Sequence, residues 1–331
     1  MRRRDFIRLV GGGAASAWPF AARAQQPDRM RLVGVLMGYA ENDPAAQSEV
    51  AIFRSTLTKL GWTEGGNVRI EVRWSSGDAD KADKVAKDLI DLRPGVILSQ
   101  TTAVTGILAR KTQTIPIVFV TVADPIASGF TTSLARPSGN ITGFTAFEPT
   151  LSGKWVELLK EIAPRTTHVA LLLNQATGPP LQFFMPSIQA AASSLAVQVS
   201  TAPVHARDEI EGVIATQART PGGGLIVMPS AFSVTNRSLI IALAARYGVP
   251  AIYFNRSFAE SGGLINYSPD YNELFRQAPE YIDRILKGAK PADLPVQQPT
   301  KYELIINLKA AKALGLEVPV RLQQIADELI E

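Results

Sequence analysis

Residues 31–61 read RLVGVLMGYAENDPAAQSEVAIFRSTLTKLG, and the fold class follows from this stretch. Leu32 to Met37 (LVGVLM) is an unbroken apolar run, the pattern of a strand buried on both faces. Asp43-Pro44 then supplies an N-cap carboxylate and a proline at the first helical position, where its missing N–H leaves no bond unmade. Val50, Phe53, Leu57 and Leu60 follow at helical spacing, and Gly61 stops the helix. A buried strand feeding a capped helix is the first half of a βαβ unit, so the stretch predicts a parallel sheet with helices on its faces.

The alternation continues in both directions of the argument. Val68 to Trp74 (VRIEVRW) reads as a strand, Asp78 caps a helix running to Leu92, and Val96 to Ser99 and Ile117 to Val120 are further strands around a helix opened by Thr101 or Thr102. After the turn cluster Pro137-Ser138-Gly139-Asn140 the pattern restarts. Lys154 to Ile162 and Pro186 to Leu195 read as helices, as do the stretches near Arg207 to Ala218 and Arg237 to Tyr247. Val169 to Leu173, Val197 to Ala202, Leu225 to Met228 and Ala251 to Tyr253 read as strands. Two similar sets of units predict an α/β protein of two doubly wound lobes. The late pieces are a strand at Leu264 to Tyr267, a helix at Tyr271 to Leu286, a proline-rich extended stretch from Lys290 to Thr300, a strand at Tyr302 to Asn307 and a helix from Lys309 to Leu314. They fit if the chain crosses between lobes more than once and so builds a multi-strand hinge. The expected division is one lobe from 30–145 plus 268–295 and another from 146–267 plus 296–331.

Of 331 residues, 46% are apolar and 19% charged, a globular balance that excludes a disordered chain. The net charge of +4 could suggest a nucleic-acid partner, but its location argues otherwise. Arg2, Arg3, Arg4, Arg8 and Arg23 face only Asp5 in the first 24 residues, so the excess lies wholly there and the remainder is neutral. A basic start, a short mildly apolar stretch from Leu9 to Phe20 and Ala22-Arg23-Ala24 before Gln25 have the layout of a cleaved export signal. Arg3-Arg4-Asp5-Phe6-Ile7-Arg8 resembles the twin-arginine export motif. The stretch is too short and too weakly apolar to span a bilayer. Residues 1–24 are therefore expected to be a signal handled by the twin-arginine machinery, with the mature protein in a bacterial periplasm and no nucleic-acid partner. No cysteine exists to form a disulfide or carry a lipid, so the fold must rest on its core.

Catalytic and cofactor signatures are missing from the sequence. His168 and His205 are the only histidines, and neither has a partner at metal-ligand spacing. There is no G-x-S-x-G elbow, Walker A sequence or strand-linked G-x-G-x-x-G. No enzyme activity, metal or cofactor is expected; an exported enzyme using Asp124 or Glu41 as acid or base is the alternative of a different class.

In doubly wound sheets ligands sit outside the strand carboxyl ends, so the loops there supply the candidate residues. The first lobe offers Tyr39 and Glu41, then Gln100, Thr101 and Thr102, then Asp124, with Phe147 beyond. The second offers Asn174, Ser230, Phe232, Tyr253 and Tyr267. Polar groups interleaved with aromatics suit a small polar or planar solute. The Gln100 to Thr102 loop, at a helix start, is the best candidate for holding a carboxylate, with simple N-capping by Thr101 or Thr102 the competing role. Asp124-Pro125 reads first as a cap and second as a ligand group.

Several stretches carry a family resemblance: Arg136-Pro137-Ser138-Gly139-Asn140-Ile141-Thr142-Gly143, Leu239 to Tyr247 (LIIALAARY), Ser261 to Ile265 (SGGLI), and above all Arg284 to Gln297 (RILKGAKPADLPVQ). They resemble the substrate-binding proteins of ABC importers of the tryptophan/tyrosine type, over nearly the whole mature chain. The resemblance implies a type I periplasmic binding fold, in which two lobes joined by three hinge strands enclose a solute and present it to a permease. It implies a monomer with no cofactor and a pocket that draws on Tyr39, Gln100, Thr101, Asp124, Asn174, Ser230 and Tyr253. A sensory protein that shows its closed form to a receptor shares all these features. One departure stands out: Met228-Pro229-Ser230 occupies the place where relatives commonly carry Leu-Pro-Asp. Loss of a charged hydrogen bond costs about 1.5–3 kcal/mol, which predicts weaker binding of an ammonium.

Overall fold

The computed structural model describes residues 30–331, and the export signal expected over 1–24 lies outside them. β1 (Arg31–Met37) is buried from Val33 onward, as its apolar run requires. α1 (Pro44–Lys59) begins at Asp43, whose Oδ1 accepts the N–H groups of Ala45 (2.9 Å) and Ala46 (3.2 Å). Its inner face is Val50, Phe53 and Leu57, all buried.

The first sheet continues with β2 (Val68–Trp74), α2 (Ala79–Asp91), β3 (Val96–Gln100), α3 (Thr102–Lys111), β4 (Ile117–Val122) and β5 (Ile141–Thr145). Its strands run parallel in the order β2-β1-β3-β4-β5. β5 is an addition to the sequence reading, which ended at the turn before it. It closes onto β4 only because residue 143 is glycine: a Cβ there would stand 2.1 Å from the Phe119 carbonyl oxygen, at φ 152°. The register slips between Val120 and Val122, and Thr121 takes up the slack in the left-handed region at φ 59°.

The second sheet is larger. It is built from α4 (Leu151–Ile162), β6 (His168–Leu173), α5 (Met185–Ser194), β7 (Gln198–Pro203), α6 (Glu209–Arg219), β8 (Gly223–Val227), α7 (Ala231–Thr235), α8 (Arg237–Tyr247), β9 (Ala251–Tyr253), α9 (Arg256–Glu260) and β10 (Ile265–Pro269). α10 (Tyr271–Leu286) then leaves it, packing on α1 and on β3, β4 and β5 of the first sheet, with Trp62 Nε1 donating to Asp283 Oδ1 at 2.8 Å. The chain stays on the first sheet through Gln297, whose N–H donates to Gly143 O (2.9 Å) and whose carbonyl accepts from Thr145 N (2.8 Å). It returns as β11 (Tyr302–Asn307), followed by α11 (Leu308–Ala313), α12 (Val320–Ile325) and β12 (Glu328–Ile330). The order is β12-β11-β10-β9-β8-β6-β7, parallel except between β10 and β11. The chain thus passes between sheets after β5, after β10 and after Gln297. No described helix is long and apolar enough to cross a membrane.

Candidate functional site: the cleft between the sheets

The carboxyl ends of both parallel sets meet at one narrow cavity whose free space, about 20 Å³, is that of a single water and not of an organic solute. From the first sheet come Tyr39 after β1, Thr101 and Thr102 after β3, Thr121 in β4, and Phe147 after β5. From the second come Thr177 and Pro179 after β6, Pro229 and Ser230 after β8, and Phe254 after β9. Tyr271, the first residue of α10, completes the wall. Three larger grooves adjoin it: one of about 320 Å³ shares Tyr271 and is lined by charged side chains such as Glu49, Arg256 and Asp270, one of about 400 Å³ shares Thr101 and Thr177 and carries Asp78, Asp83 and Arg110, and one of about 320 Å³ shares Pro179 and Pro229 and is uncharged. The cavity wall holds hydroxyls, aromatic rings and prolines and no charged side chain.

The sharp turns at the strand ends aim these groups. Thr101 sits at φ 78°, caps α3 through its Oγ1 (3.4 Å from Val104 N) and donates its own N–H to Thr121 Oγ1 (3.0 Å). Thr102 Oγ1 accepts Ala123 N–H at 3.1 Å. Ser230 caps α7, accepting Ser233 N–H (2.9 Å) and donating to Ser233 Oγ (2.7 Å). Phe147 packs edge-on against both Trp155 and Phe184, so its ring is fixed from behind.

A buried polar network backs Tyr39. Gln100 Oε1 accepts the N–H groups of Gly38 (3.0 Å) and Tyr39 (3.4 Å), and Gln100 Nε2 donates to Glu49 Oε2 (2.7 Å). Burial pushes the Glu49 carboxyl up to about 8, the Asp43 charge adds to this, and the Gln100 bond opposes it. Glu49 is therefore largely protonated at neutral pH. Asp43 pairs with Arg237 Nη1 of α8 while its other oxygen caps α1, so one carboxylate bridges the two sheets' helices. Burial, then the Glu49 and Asp43 charges, raise the Tyr39 hydroxyl well above its ordinary value, against a bond to Asn255 and the Arg237 charge. Burial does the same to Tyr271, whose hydroxyl donates to Phe254 O at 3.0 Å. Both tyrosines stay neutral.

Of the residues singled out in the sequence, Tyr39, Thr101, Thr102, Phe147 and Ser230 meet at the cavity. The others do not line it. Gln100 is wholly buried as the strut just described. Asn174 turns back on its own loop, accepting Thr177 N–H (3.0 Å) and donating to Val204 O (2.9 Å). Asp124 holds a turn through Ile126 N (3.0 Å) and Ala127 N (2.9 Å), and no helix follows for it to cap. Tyr253 stacks on Phe258 in the core, Tyr267 stacks on Tyr302, Phe232 touches the site through its N–H bond to Thr177 Oγ1 (3.2 Å), and Glu41 is exposed. Thr121, Thr177, Pro229 and Phe254 lie in the strand-end loops to which the sequence pointed, though not as individual candidates, and Pro179 and Tyr271 lie outside them.

A curated tyrosine-binding protein from Clostridioides difficile is 25% identical over 275 residues, covering 80% of this chain and 76% of its own length. A crystal structure from Streptococcus pneumoniae, described as an ABC domain in complex with L-Trp, superposes with a TM-score of 0.82 at 23% identity, over 91% of this chain and 99% of that one. The ligand-free, open structure of a substrate-binding protein with adhesive properties from Clostridium difficile reaches 0.65 at 22% identity, over 91% and 99%. These solved structures share the two-lobed fold. The family model described as ABC transporter substrate binding protein matches residues 40–330, and the chain therefore belongs to the ABC transporter substrate-binding proteins, which bind their solutes without transforming them.

Proposed function

We propose that the protein captures one small planar or aromatic solute bearing a carboxylate-type group in the bacterial periplasm and delivers it to an ABC importer by closure of its lobes. The observation that carries this reading is the uncharged cavity at the carboxyl ends of both sheets, walled jointly by both and bridged beside it by Asp43 and Arg237. A solute that touches both walls stabilises only the state in which they meet, which is the differential affinity closure requires. Among the relatives, one is named for tyrosine and another was solved with L-Trp. At matched identity and coverage the chain is closer to the L-Trp complex than to the ligand-free open structure, in keeping with a closed arrangement. The lobes are proposed to divide where the chain passes between sheets, which moves the crossings expected at 267/268 and 295/296 two residues later, to after Pro269 and after Gln297. Export by the twin-arginine route, cleavage near Gln25 and a monomeric mature form complete the proposal.

Calorimetric titration of the ligand-stripped mature chain against aromatic amino acids, aryl carboxylates and short-chain carboxylates tests it. Saturable one-to-one binding, accompanied by a change in Trp155 fluorescence and lost in Pro179→Trp, which fills the cavity, is expected. Binding that survives Pro179→Trp unchanged places the solute elsewhere and overturns the reading.

A further inference from the structure

The reading above leaves the polar end of the solute open, and the hydrogen-bond inventory of the cavity narrows it. Thr101, Thr102 and Thr121 each use their hydroxyl oxygen to accept a backbone N–H, from Val104 (3.4 Å), Ala123 (3.1 Å) and Thr101 (3.0 Å). Among the described residues none of the three hydroxyl hydrogens has an acceptor, so each is free to donate into the cavity. On the facing wall the hydroxyls are already committed: Thr177 donates to Asn174 Oδ1 (2.8 Å) and accepts Phe232 N–H (3.2 Å), and Ser230 is paired twice with Ser233. The rest of that wall is Phe254, Pro179 and Pro229.

No wall residue is an acid. Two carboxyls behind Tyr39 are engaged elsewhere: Glu49 with Gln100, Asp43 with Arg237 and the α1 N-terminus. A buried ammonium needs hydrogen-bond acceptors, and the threonine and serine hydroxyl oxygens of this wall already accept backbone N–H groups. An oxygen acceptor, by contrast, meets three waiting donors.

We propose that the cavity is built for a small solute with an oxygen-acceptor end, such as a carboxylate, and no ammonium group: a des-amino aromatic or other planar acid in preference to an amino acid. This rests on the enclosed-solute reading and sharpens its substrate class. Ser230 is the discriminating position. It faces the cavity and caps α7, a role that aspartate fills equally well, so Ser230→Asp adds a carboxylate while keeping the cap.

Matched-pair titration tests the inference: L-tyrosine against 3-(4-hydroxyphenyl)propionate, and L-tryptophan against indole-3-propionate, on the native mature chain and on Ser230→Asp and Ser230→Asn. The native chain is expected to bind the des-amino member at least tenfold more tightly. Ser230→Asp is expected to shift the ratio at least tenfold toward the amino acid, and Ser230→Asn, which caps without charge, to leave it unshifted. Equal or tighter binding of the amino acid by the native chain overturns this inference and leaves the enclosed-solute reading standing. Silence of every pair on all three proteins overturns both.

Discussion

Glu49 is a carboxyl with no solvent, sharing its surroundings with Asp43, Tyr39 and Gln100. Its ordinary value near 4.5 rises to about 8 in the folded chain. Between those two values the unfolded chain has released the proton while the folded chain keeps it, so the folded state binds more protons and stability falls as pH rises. The slope approaches about 1.4 kcal/mol per pH unit. Glu49→Gln retains an acceptor for Gln100 Nε2 without the titration. Denaturant melts of both proteins across this window should show the variant gaining on the native chain as pH rises; parallel stability curves would exclude the proposed burial. At the same scale, the sequence exposed the hydroxyls of Thr101 and Thr102 because a helix start must be capped. It did not expose Thr121, whose entry into the cavity comes from a register slip between β4 and β5 that depends on a strand partner. Tyr253 and Phe254 show a second limit: adjacent aromatics at a strand end are equally attractive in one dimension, yet both pack on Phe258 and only Phe254 also reaches the cavity.

Asp43 and Arg237 belong to the scale of elements, since they join the N-terminus of α1 to α8. If the pair forms only when the lobes meet, it contributes to ligand affinity through closure. Asp43→Asn keeps the cap, asparagine being as good there as aspartate, yet removes the charge. Affinity is expected to fall about tenfold, ~1.4 kcal/mol, and a cycle with Arg237→Met should find the double variant no weaker than the single ones. Strictly additive losses in that cycle would contradict a coupled bridge. The longer elements were legible because propensity, capping and burial agree: β1, α1, β2 and α10 each begin with the residue type their position demands. β5 was hidden by Gly143, which reads as a breaker although its bare backbone is what lets the strand close on Phe119. β12, at three residues, and α7 and α9, at five each, are too short for any periodicity to emerge.

At the scale of the whole molecule, two repeated α/β sets in the sequence foretold two sheets, and the late strand and helix pieces required the chain to cross between them. The positions of the three crossings were not fixed by pattern, because they depend on which sheet β10, Gln297 and β11 find as partners. The charge excess of the sequence lies in the first 24 residues, leaving a neutral remainder whose uncharged cleft cavity is its main chemical feature. Closure of two lobes on one solute is the central claim, and small-angle scattering of the ligand-stripped mature chain, with and without a saturating concentration of the tightest-binding aromatic acid or amino acid, tests it most directly. The radius of gyration should fall on saturation; an unchanged radius at demonstrated saturation would contradict the account.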